Sequence, residues 1–169
     1  ASMAKAMELA EIDTILIGDS LGMAIQGRDS TLPVTVEDMA YHTVAVRRGN
    51  QHALIMTDLP FMSYATLSDA LQSSKVVMQA GAQMVKVEGG AWLAETVQVL
   101  TRNGIPVCVH LGLTPQSVHV FGGYKLQART REAADQLIAD CQAVVDAGAA
   151  VLLLECVPAQ LGKEISELF

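Results

Sequence analysis

Five short apolar runs, each closed by an ionisable residue and separated by helix-like segments, constrain this chain more than anything else in it. Ile12 to Asp19 reads IDTILIGD, and Ala53 to Asp58 reads ALIMTD. Met84 to Glu88 reads MVKVE, Ile105 to His110 reads IPVCVH, and Val151 to Glu155 reads VLLLE. Runs this short and this rich in Val, Ile and Leu predict strands buried on both faces, as in a parallel sheet. The segments between them carry helix signals. Val36 to Arg48 follows Thr35, and Leu67 to Ala80 follows Thr66, each Thr a predicted N-cap. Ala91 to Arg102 and Arg131 to Ala147 space apolar residues by three and four, and Pro158 opens a last helix running to Phe169. Gly81 and Gly148 sit where helix gives way to strand, at positions where a left-handed backbone is cheap only for glycine.

Strand and helix in strict alternation predict an α/β fold with a parallel sheet. In a (β/α)8 barrel the C-terminal strand ends face one shared site. Asp19, Asp58, Glu88, His110 and Glu155 occupy those ends here. The expectation is a TIM barrel, incomplete in this chain. At roughly 30 residues per unit a closed barrel takes about 250, and the chain has 169. About strands 2 to 6 are expected to be present, and strand 1 and strands 7 and 8 to be missing. All of 1–169 is expected to form one partial barrel domain. The two long connections, Leu21 to Val34 and Gly112 to Thr130, both leave strands at the ends where function belongs.

Composition narrows the function. The net charge is −7, with 11 Lys and Arg against 18 Asp and Glu, which argues against a nucleic-acid partner. Arg47 and Arg48 suit a helix C-terminus. No stretch approaches the roughly 20 apolar residues of a membrane span, and no signal peptide is visible. Cys108, Cys141 and Cys156 show no CxxC spacing, so reduced core thiols and a cytoplasmic location are expected.

Asp19 and Asp58 end consecutive strands. Two carboxylates held close repel one another and call for a compensating charge. A hard divalent cation such as Mg²⁺ suits them, with Glu88 able to extend the site directly or through a water. The competing reading makes the pair two helix N-caps. Lys86 and Glu88 lie two apart on one strand and so share a face, where Lys86 needs an anion, either Glu88 or a substrate carboxylate. Glu155, in the apolar VLLLECVP, is expected to be desolvated, which suits a general base; a solvated loop Glu is the alternative. His110 is placed to donate to a developing oxyanion, or to serve structurally. The FGGYK stretch, Phe121 to Lys125, lacks the spacing of a phosphate loop and fits a cover over the site mouth.

At these motifs the chain resembles a known family. IGDSLGMAIQGRDSTLPVTVEDMAYHTVAVRRG (Ile17 to Gly49), DLPFMSYAT (Asp58 to Thr66) and AGAQMVKVEGG (Ala80 to Gly90) are similar to ketopantoate hydroxymethyltransferases. So are CVHLGLTPQSVHVFGGYK (Cys108 to Lys125) and VLLLECVP (Val151 to Pro158). The resemblance implies a (β/α)8 barrel of the phosphoenolpyruvate mutase and isocitrate lyase superfamily. It implies an Mg²⁺-dependent enzyme that passes a one-carbon unit from 5,10-methylenetetrahydrofolate to 3-methyl-2-oxobutanoate, and a cytoplasmic homo-oligomer, the family's decamer. On the same basis Asp19 and Asp58 bind the metal, with Glu88 the third carboxylate. Asp19, Ser20, Asp58 and Lys86 contact the keto acid, and Glu155 is the proton acceptor; His110 is added to the substrate contacts from its place at a strand end alone. Two alternatives stay open: another Mg²⁺-dependent 2-oxo acid lyase or mutase of the superfamily, or an inactive fragment of the enzyme.

Overall fold

Apolar runs of four to six residues are too short for helices, and each becomes a strand whose ladder is completed by its neighbour. The computed structural model describes residues 1–169. The chain divides into two compact units, Ala1–Lys86 and Val87–Phe169.

The first unit runs α1 (Ser2–Leu9), β1 (Thr14–Ile17), α2 (Leu21–Ala24), α3 (Val36–Arg47), β2 (Leu54–Asp58), α4 (Leu67–Gln79) and the start of β3 (Met84–Glu88). β1 pairs parallel with β2, Thr14 opposite Leu54 and Ile17 opposite Thr57. β2 pairs parallel with β3, Met56 opposite Met84 and Asp58 opposite Lys86. Both predicted caps form. The Thr35 side chain accepts from the Asp38 N–H while the Asp38 carboxylate accepts from the Thr35 N–H, a reciprocal capping box. The Thr66 hydroxyl accepts from the Asp69 N–H. Met39, Ile55, Leu59, Val77 and Val85 are fully buried. A buried Thr43–Thr57 hydroxyl contact of 2.9 Å ties α3 to β2, and Thr43 also donates to the Met39 carbonyl at 2.7 Å. Neither hydroxyl is left unsatisfied in the core.

The second unit takes up β3 at Val87. It continues through a 3₁₀ turn (Ala91–Leu93), α5 (Ala94–Arg102), β4 (Val107–Gly112), a second 3₁₀ turn (Pro115–Ser117), α6 (Val118–Phe121), α7 (Arg131–Asp146), β5 (Val151–Glu155) and α8 (Ala159–Leu168). β4 and β5 are parallel, with Cys108 opposite Val151 and Gly112 opposite Glu155. Leu93, Val97, Leu100, Val107, Val109, Leu113 and Val144 are fully buried.

Several expectations need correction. β1 stops at Ile17, because the chain turns at Gly18 and the N–H groups of Leu21 and Gly22 bond back to the Gly18 and Asp19 carbonyls. Asp19 therefore lies just past the strand. β4 runs two residues beyond His110, carried by pairing with β5. Both long connections hold short helices, α2 in the first and the second 3₁₀ turn with α6 in the other. Of the three thiols, Cys108 and Cys141 are buried but Cys156 is exposed, since it follows the end of β5 with φ +49°. Gly81 and Gly148 take the left-handed backbone expected of them, at φ +116° and +105°. No helix is long and apolar enough to cross a membrane.

Candidate active site

In the first unit the candidate side chains collect at the C-terminal ends of β1 and β2. Asp19 and Asp58 are almost fully buried, at 3% and 2% exposure. The turn after β1 aims the Asp19 N–H at Asp58, which accepts it on Oδ2 at 2.9 Å. The β2–β3 register sets Asp58 opposite Lys86, and cross-strand partners on one face are neighbours. Lys86 Nζ lies 2.9 Å from Asp58 Oδ1, with both side chains buried. The anion found beside Lys86 is thus Asp58, which the alternation along β3 alone does not reveal. Ser20 follows on the same turn, at the N-cap position of α2, and is exposed. A Cβ at Gly18 would come within 3.1 Å of Ser20 Oγ and 3.6 Å of Asp58 Oδ2, so glycine keeps this turn open.

Desolvating an ion pair costs several kcal/mol per ion, and a well-packed apolar pair of the same size is often as stable. Stability alone is therefore a weak reason for Lys86 and Asp58 to be here. The buried charged residues of this unit are two acids, Asp19 and Asp58, and one amine, Lys86. That set carries a formal excess of one negative charge and offers hard oxygen donors, which suits a cation such as Mg²⁺. No group of three or more His, Cys, Asp and Glu side chains is gathered as a metal cluster. A small number of protein ligands is the habit of Mg²⁺, which keeps waters and substrate oxygens in its shell.

The second unit assembles Glu88, His110 and Glu155 from the ends of β3, β4 and β5. Glu88 Oε1 lies 3.1 Å from His110 Nδ1, and its Oε2 accepts the Gln116 N–H at 2.9 Å. The Glu88 and His110 side chains are almost fully buried, at 2% and 3% exposure. A carboxylate at Nδ1 fixes both the ring orientation and the nitrogen that carries the proton. Nε2 is then turned toward Glu155, whose Oε2 lies 3.3 Å away. The Glu155 side chain is 41% exposed, so the apolar enclosure expected for it is not found. Every residue of β5 is partly exposed, and solvent reaches its last side chain. Sequence reasoning misses Gln116, because it acts through its main chain. A signal exists all the same: Pro115 opens a 3₁₀ turn, and the first N–H groups of such a turn have no internal partner.

The profile of the ketopantoate hydroxymethyltransferase family matches residues 1–169, and the chain belongs to that family. It is 92% identical over 169 residues to the 3-methyl-2-oxobutanoate hydroxymethyltransferase of Acinetobacter baumannii strain AYE, covering all of this chain and 63% of that protein. Its identity to the protein of that name from Psychrobacter sp. strain PRwf-1 is 63% over 167 residues, covering 99% of this chain and 62% of the relative. The chain thus spans a little under two thirds of the length of these curated relatives. Among solved structures it resembles 2,3-dimethylmalate lyase, of the PEP mutase/isocitrate lyase superfamily, with a TM-score of 0.71. That match has 16% identity over 99% of this chain and 58% of the other. A putative phosphonomutase from Burkholderia cenocepacia J2315 gives a TM-score of 0.73 at 16% identity, over 97% and 69% of the two chains. The fold is therefore α/β, a part of a (β/α) barrel like those of these neighbours.

Proposed function

We propose that the chain transfers a hydroxymethyl group from 5,10-methylenetetrahydrofolate to 3-methyl-2-oxobutanoate, giving 2-dehydropantoate (ketopantoate) on the route to pantothenate and coenzyme A. The observation that supports this best is the buried Asp58–Lys86 pair at 2.9 Å with the Asp19 N–H on the same carboxylate. A buried amine among acids is the arrangement a small 2-oxo acid needs, one cation for its carboxylate and hard donors for a metal. Asp19 and Asp58 hold Mg²⁺, with Glu88 the third acid, directly or through a water. When bound, the metal acts as a Lewis acid toward negative charge developing on the keto oxygen.

The chain's own groups do the rest. Lys86 neutralises the substrate carboxylate, and the exposed Ser20 hydroxyl and the two aspartates complete the contacts to the keto acid. His110, held at Nδ1 by Glu88, donates from Nε2 to charge at the oxyanion when both ring nitrogens carry protons. Glu155, reachable by solvent beside that nitrogen, takes the proton from C3 next to the ketone. The enolate carbon then bonds to the folate methylene as one of its two C–N bonds breaks. Water displaces the second nitrogen and supplies the hydroxyl, and the proton taken from C3 and the one released by water end on the two freed nitrogens of tetrahydrofolate. The protein acts in the cytoplasm as a homo-oligomer, the family's decamer.

The same set would also serve a Mg²⁺-dependent lyase or mutase acting on another 2-oxo acid, a reading the fold neighbours favour. Product analysis of the full chain separates the two. Ketopantoate is expected from 3-methyl-2-oxobutanoate only when 5,10-methylenetetrahydrofolate and Mg²⁺ are both supplied, and Asp58→Ala is expected to abolish both turnover and Mg²⁺ stimulation. Cleavage or rearrangement of a 2-oxo acid without folate, or Mg²⁺-stimulated turnover by Asp58→Ala, would count against the proposal.

A further inference from the structure

A cavity of about 340 Å³ in the second unit takes no part in the chemistry above. It opens among Gly90, Trp92, Phe121, Gln127, Gln136 and Asp140. Its size and its mainly apolar wall with a few polar groups are those of a small-molecule site. Trp92 is 68% exposed, an indole that core packing does not explain, and its ring lies over Gly89, where a Cβ would come within 2.5 Å of it. Asp140 uses Oδ1 twice, accepting the Ala91 N–H at 3.2 Å and the Gln136 amide at 3.1 Å. Its Oδ2 is engaged by neither. A Cβ at Gly90 would stand 2.7 Å from Oδ2, so glycine keeps that oxygen uncovered. The cavity also borders Gly112, which pairs with Glu155, and the Leu113 N–H donates to the Glu155 carbonyl at 2.8 Å. A Cβ on Gly112 would collide with that carbonyl.

We infer that this cavity holds the pterin ring of the folate donor, with Asp140 reading its aminopyrimidinone edge and Trp92 covering a face. The inference rests on the one-carbon transfer proposed above. That edge of a pterin presents a ring N–H and an amino group side by side, two donors that a carboxylate accepts together. An adenine edge offers a donor beside an acceptor, which a carboxylate rejects. Flat π surface against indole supplies the remaining affinity, and the adjacency of Gly112 to Glu155 sets the ring next to the strand that bears the proton acceptor.

The test is calorimetric titration of the full chain with tetrahydrofolate under reducing conditions. Asp140→Asn keeps an oxygen for the Ala91 cap but turns Oδ2 into a donor that opposes the pterin donors. Ala133→Leu fills the cavity from an exposed helical position without touching Asp140. Each is expected to weaken tetrahydrofolate binding about tenfold or more, with unchanged circular dichroism. Wild-type affinity in both folded variants would overturn the inference while leaving the proposed reaction standing. A wild-type chain that binds no tetrahydrofolate would overturn the inference and the folate half of that reaction together. Binding that the variants lose, in a wild-type chain unable to exchange the C3 proton of 3-methyl-2-oxobutanoate, would sustain the pocket and refute the proton-abstraction step.

Discussion

Lys86 is held by a register. Strand β3 brings it opposite Asp58, and the two meet at 2.9 Å with both side chains almost fully buried. Removing one partner of such a pair leaves a buried charge uncompensated, at about 3–5 kcal/mol. Lys86→Met and Asp58→Leu are each expected to lose about that much in urea denaturation, and the double variant to lose less than either. Additive losses would show that the pair is not coupled. The thiols make a second residue-scale case. Burial, with the Asp140 charge as a smaller cause, pushes the Cys141 thiol up to about 11, while Cys156 is exposed. A thiolate is the reactive form. One thiol per chain is therefore expected to react quickly with a disulfide reagent at neutral pH, and Cys156→Ser to remove that phase. Loss of the phase in Cys141→Ser instead would contradict the burial of Cys141. At this scale the sequence shows that Asp58, Glu88 and Glu155 end strands. It does not show their partners. Lys86 with Asp58 depends on inter-strand register, and Glu88 with the Gln116 N–H depends on a main-chain group that only the turn signal at Pro115 marks.

Helix α3 is set by its first turn. The Thr35 hydroxyl and the Asp38 carboxylate each satisfy an N–H that the helix cannot, and Thr35→Ala is expected to cost about 1 kcal/mol in urea denaturation. The Thr35 N–H holds the Asp38 carboxyl below its ordinary value of 3.8. A lowered folded value means a contribution that is complete above the ordinary value and is lost as pH falls through the lowered one. Asp38→Asn is accordingly expected to flatten the fall in the urea midpoint below about pH 4; an unchanged slope would remove Asp38 from the acid response. Elements of this kind are legible in the sequence, because their signals are local. Thr35, Thr66, Gly81 and Gly148 mark helix ends through local backbone needs, and β2, β3 and β5 close at the residues expected. The misjudged boundaries have non-local causes. β4 is prolonged by its pairing with β5, and the apolar letters around Glu155 do not enclose it because β5 is only partly covered.

For the whole molecule, a net charge of −7 works against the binding of anionic substrates. In the proposed reaction the 2-oxo acid and the folate are both anions, so their binding would have to be won locally, by Lys86 and by a divalent cation on Asp19 and Asp58. Length bears on the same point. The chain covers 63% of the Acinetobacter baumannii relative, and within that span lie all seven residues assigned to the keto acid, the metal and the proton. The proposed enolisation of the keto acid calls on only those groups, with no folate. The direct measurement is loss of the C3 proton signal of 3-methyl-2-oxobutanoate in D₂O, followed by NMR with the full chain. Exchange is expected with Mg²⁺ present, to stop when the metal is chelated, and to fall at least about a hundredfold in Glu155→Gln. Exchange by Glu155→Gln at the wild-type rate, or exchange indifferent to Mg²⁺, would contradict the account.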